Sequence, residues 1–130
     1  MSPESKSDSA AIRSRSAEAH YFKAVDSLAA GDLSAAIEGF RASLSVDPSY
    51  VDAAHGLVHA LKDAGQIDEA VSVVSDLIAS YPDDVLAHTS LSILYQHQGK
   101  IAEAESAATR AKLIGWKMEL REEKEAGSGV

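Results

Sequence analysis

The sequence predicts an all-α solenoid of three helix-turn-helix repeats in tandem, closed by a C-terminal capping helix. Gly31, Gly65 and Gly99 stand 34 residues apart, and Ala36, Ala70 and Ala104 keep the same step. Pro48 and Pro82 share it too, and Trp116 fills the third equivalent position. Within each repeat the apolar residues recur at helical rather than strand spacing.

The first repeat, 17–50, holds helices at about 17–30 and 33–46. In the second, 51–84, Ala53, Ala54, Leu57, Val58 and Leu61 trace the stripe of one helix at about 50–64. Ile67, Ala70, Val71, Val74, Leu77 and Ile78 trace its partner at about 67–80. The third repeat, 85–116, carries helices at about 84–98 and 101–114. Glycine at each hairpin turn can take the left-handed conformation that ends a helix without a side-chain clash. Pro48 and Pro82, lacking an N–H, stop one hairpin and admit the next. The alanine at each second helix's start lets the paired helix approach closely.

The ends depart from the pattern. Residues 1–15 are rich in serine and mixed charge and predict a disordered tail, as do residues 126–130. Residues 16–125 form the repeat domain, its last segment, 117–125, a polar-faced cap. The chain after Ile114 reads either as a continuation of the sixth helix past Gly115 or as a short seventh.

Composition narrows the functional classes. The 130-residue chain has no cysteine, which removes disulfides, thiol nucleophiles and thiolate zinc sites. Its net charge of −8, with no clustered basic residues, argues against nucleic-acid and anionic-membrane partners. No apolar run approaches the roughly 20 residues a membrane helix needs. The opening stretch carries charges and serines where an export signal would be apolar, so the expected location is cytoplasmic. No zinc-protease motif, phosphate-cradling glycine loop or nucleophile elbow occurs, so no enzyme activity and no cofactor are expected.

With this spacing the chain resembles the tetratricopeptide repeat family, whose unit is a helix-turn-helix of 34 residues. The second repeat carries the resemblance on Leu57, Leu61, Gly65, Ala70, Val74, Leu77 and Pro82. The first keeps Gly31, Ala36, Phe40, Leu44 and Pro48, but has His20 where Trp is common and Lys23 where Leu is common. The third keeps Leu91, Tyr95, Gly99, Ala104, Ala108 and Ala111. The resemblance implies a right-handed superhelical stack whose first helices line a concave groove for peptides or partner proteins.

The same resemblance allows one partner class to be set aside. The family's clamp for acidic chaperone tails needs Lys, Arg and Asn side chains, and those positions hold Tyr21, Val25, Gly56, Leu86 and Ser90. None is basic, so an acidic tail would find no compensating cation. The groove positions instead hold Tyr21, Phe22, Val25, His55, His59, Thr89, Ile93 and His97, a mixed surface suited to a peptide or partner helix. A plainer role for Tyr21 and Phe22 is to cover the first hairpin's core. His55 and His59 have the i, i+4 spacing of a metal pair, but zinc needs three or four ligands, so no metal is expected. The expectation is a non-catalytic adaptor or accessory subunit of a larger assembly. The alternative is self-assembly through the C-terminal end at Trp116 and Leu120.

Overall fold

Helix punctuation fixes the architecture. The computed structural model describes residues 3–128, which form α1 (Pro3–Ala29), α2 (Leu33–Val46), α3 (Val51–Asp63), α4 (Ile67–Ser80), α5 (Val85–His97) and α6 (Ile101–Ser128). Gly31, Gly65 and Gly99 have φ of 80°, 78° and 75°, the left-handed region. There the Asp32, Gln66 and Lys100 amides reach back to the Ser27, Leu61 and Tyr95 carbonyls at 2.9, 2.9 and 2.8 Å. These bonds satisfy carbonyls that a helix end would leave without partners. The class is all-α, and α2 to α5 fall within two residues of the spacing-derived bounds, whereas α1 and α6 run well beyond theirs at their outer ends.

The chain divides into two compact units, Met1–Val73 and Val74–Val130, with the boundary inside α4. In the N-terminal unit α1 packs on α2, and both contact α3. Its core includes Ala17, Ala24, Ala36, Phe40, Ala53, Leu57 and Leu61, all buried. Small residues set the helix spacing: a Cβ added to Gly39 would lie 2.7 Å from the Ala24 Cβ, closer than atoms can pack. The Ser43 hydroxyl is buried and donates to the Ala17 carbonyl at 2.8 Å. In the C-terminal unit α5 packs on α6 around Leu94, Ala104, Ala107, Ala111 and Ile114. There the buried Ser92 hydroxyl donates to the Ala104 carbonyl at 2.8 Å.

Both ends differ from the composition-based reading. The stretch 1–15, expected as a disordered tail, is helical from Pro3 onward as part of α1. The sequence has no Pro or Gly between Pro3 and Gly31 to stop the helix, and side chains from Ser9 to Arg15 remain exposed. At the other end α6 runs unbroken through Gly115 to Ser128, so the segment 117–125 continues the sixth helix and is not a seventh. The helix also takes in 126–128 of the expected second tail, while residues 1–2 and 129–130 lie outside the described residues.

Candidate functional site

In the N-terminal unit the site is built on a large ring set against an absent side chain. Phe40 of α2 is fully buried, and its ring occupies the space a Cβ of Gly56 on α3 would fill. That fit brings α3 up to the aromatic residues of α1. Tyr21 is half-buried, its ring centroid 5.9 Å from that of Phe40, 5.3 Å from Phe22 and 5.2 Å from Tyr50. The contacts with Phe22 and Tyr50 are edge-on, at interplanar angles of 65° and 63°, the arrangement aromatic quadrupoles favour. Tyr21 thus does part of the core-covering expected of it. Phe22 does not: it leaves 60% of its surface open, and Val25 beside it is also exposed.

Tyr50 stands at the N-cap of α3 and makes no side-chain cap hydrogen bond. Partial burial, followed by the nearby carboxylates of Glu18 and Asp52, raises its hydroxyl above the usual value of 10.0, with smaller contributions from Tyr21 and Asp47. Asp47 is itself engaged, accepting from the Ser49 amide at 3.0 Å and hydroxyl at 2.6 Å.

The two histidines of α3 share a face but have different surroundings. His55 is half-buried, whereas His59 is exposed with its Nε2 3.2 Å from an Asp63 carboxylate oxygen one turn on. Among the described residues no three His, Asp or Glu side chains converge as metal ligands would.

Thr89, Ile93 and His97 all lie exposed along α5 in the C-terminal unit. The Thr89 hydroxyl donates back to the Val85 carbonyl at 3.0 Å. His88 on the same helix is buried, its Nε2 2.7 Å from the Pro82 carbonyl, which makes it a packing residue. This unit also holds an open pocket of about 280 Å³, lined by Ile78, His88, Leu91 and Tyr95 with Glu103 and Arg110 at its polar side. Sequence spacing gave no sign of it, because its lining comes from three helices. On α6, Trp116 and Leu120 are 58% and 64% exposed and, with exposed Leu113, fall on the side away from buried Ala107, Ala111 and Ile114.

The family model of the tetratricopeptide repeat matches residues 27–94, more than half of the chain. The chain belongs to the tetratricopeptide repeat family. Members of this family are in general non-catalytic protein-interaction modules. Among solved structures, the crystal structure of MamA is similar at 24% identity and a TM-score of 0.76, over 79% of this chain and 60% of that one. The Yersinia enterocolitica type III secretion translocator chaperone SycD, in a structure described as an alternative dimer, matches at 24% identity and a TM-score of 0.74 over 89% of both chains. A structure of MamA MSR-1 matches at 16% identity with a TM-score of 0.72, over 78% of this chain and 59% of that one. At these identities the likeness speaks for the tetratricopeptide fold alone, and this chain spans about 60% of the MamA chain's length. No curated protein matches the sequence.

Proposed function

We propose that this tetratricopeptide chain is a non-catalytic adaptor or accessory subunit that takes a partner peptide or helix on the first helices of its hairpins. The observation that carries this reading is the aromatic face of Tyr21, Phe22 and Tyr50, most open at Phe22. Large rings next to water at a packed helix junction are what protein-recognition surfaces offer, because they contribute contact area at little entropic cost. Val25, His55 and His59 extend the proposed contact in the same unit, and Thr89, Ile93 and His97 are its proposed contacts on α5. SycD, named as a chaperone of a translocator, supports the idea that such a scaffold can hold a partner chain. The absence of basic residues at Tyr21, Val25, Gly56, Leu86 and Ser90 argues against an acidic chaperone tail as that partner.

The test is affinity capture from native lysate with wild type beside the triple variant Tyr21→Ala, His59→Ala and Ile93→Ala, after circular dichroism has shown the variant to be helical. A partner held by wild type and lost by the variant is the expected result. Equal capture by both moves recognition elsewhere and overturns the assignment.

A second reading, self-assembly, draws on the exposed Leu113, Trp116 and Leu120 stripe of α6. It expects an oligomer by light scattering that Trp116→Asp dissociates; a monomer in both samples removes it.

A further inference from the structure

The aromatic face of the N-terminal unit is bordered by acid. Helical spacing groups Glu18, Tyr21, Phe22 and Val25 on one side of α1 and sets Lys23 off that side. Across from them Tyr50 leads into α3, with Asp52 in the first turn. Glu18 and Asp52 are both exposed, and among the described residues neither is held in an ion pair. Beside its partial burial, both carboxylates push Tyr50 upward, in keeping with their place at the edge of this face.

Tyr50 also takes a position the next repeat uses differently. One repeat later Asp84 caps α5, accepting from the Ala87 amide at 3.1 Å, whereas α3 has no side-chain cap. A helix without a side-chain cap forgoes a stabilising hydrogen bond at its N-terminus. The repeat gives up that contribution where a ring joins the Tyr21 and Phe22 cluster.

We infer that this face receives an arginine side chain from a basic segment of the partner, its guanidinium against the rings of Phe22 and Tyr50 and its N–H groups toward Glu18 and Asp52. The inference rests on reading this face as a recognition surface. An apolar residue alone would strip water from two carboxylates and offer nothing in return. Arginine answers both features at once, since its plane stacks on aromatic faces and its fork of donors matches carboxylates. A net charge of −8 adds long-range attraction for such a segment.

The experiment is an amide NMR titration of the full chain with a short Gly/Ser peptide carrying arginines, and with the same peptide carrying citrulline or leucine. Citrulline keeps the shape of arginine and removes its charge. The arginine peptide is expected to saturate shifts centred on Tyr21, Phe22, Tyr50 and Asp52, and to bind about tenfold more tightly than the citrulline peptide. The double variant Glu18→Gln, Asp52→Asn is expected to lose about that factor while its circular dichroism is unchanged. Equal binding of the arginine and citrulline peptides, or shifts spread over the whole acidic surface, overturns the inference. If the leucine peptide alone saturates these resonances, the recognition surface stands and its arginine preference falls. If no peptide perturbs this face, both fall.

Discussion

The link Asp47-Pro48-Ser49-Tyr50 and the link Tyr81-Pro82-Asp83-Asp84 lie one repeat apart and make the same backbone turn with different side chains. In each, the fourth residue's amide donates to the first residue's carbonyl at 3.1 Å. In the second link Asp84 caps the following helix, and the His88 ring meets the Pro82 carbonyl. In the first, Asp47 serves Ser49, the residue equivalent to His88 is Ala54, and Tyr50 turns to the rings of α1. Proline and the hairpin geometry fix the turn, which leaves the side chains free to specialise. One link is spent on helix stability, the other on an aromatic surface.

The largest test of that contrast removes the ring beneath the first link. Phe40→Ala is expected to lose about 3–5 kcal/mol in urea denaturation, because it empties a fully buried site and withdraws a support from Tyr21. A loss below about 1 kcal/mol would mean the aromatic face does not depend on it. Next comes the cap: Asp84→Ala is expected to cost about 1 kcal/mol, while Ala at position 50 removes no cap and changes stability only through ring packing. A smaller effect is expected at Arg41, whose ion pair with Glu69 joins two half-exposed side chains. Arg41→Ala should fall within about 0.5 kcal/mol of wild type, less in high salt.

The smallest effect separates the two links by pH. Because the folded chain holds the Tyr50 proton more tightly than the unfolded chain, this residue's contribution is complete below the unfolded value of 10.0. It is lost as pH rises past that value toward the raised folded one. Tyr50→Phe should flatten this alkaline decline, and an unchanged slope would place its origin in other groups.

Much of the fold was legible because its signals are local and repeated. Gly31, Gly65 and Gly99 mark the turns by themselves, and the stripes of α3 and α4 need only the helical period. The ends differ from the expectation because composition reports whether a segment can bury a core, not whether a helix already formed will stop. Extending a nucleated helix adds one hydrogen bond per residue at no further nucleation cost, so α1 and α6 run on through exposed, polar sequence. At the site, Tyr21 and Phe22 stood out as aromatics on a first helix. Tyr50 did not, because it stands at the very start of the expected helix, ahead of its apolar stripe. The fit of Phe40 against Gly56 was also hidden, since it joins two repeats at positions no period connects.

In the proposed mode of recognition the partner binds at the exposed ring cluster of the N-terminal unit. Phe22 tests it most directly, because its side chain is largely in water and its removal leaves the core intact. Calorimetric titration of the captured partner into wild type and Phe22→Ala is expected to show affinity at least about tenfold weaker for the variant, at an unchanged melting temperature. Equal affinities would place the partner on another surface and overturn the aromatic face as its binding site.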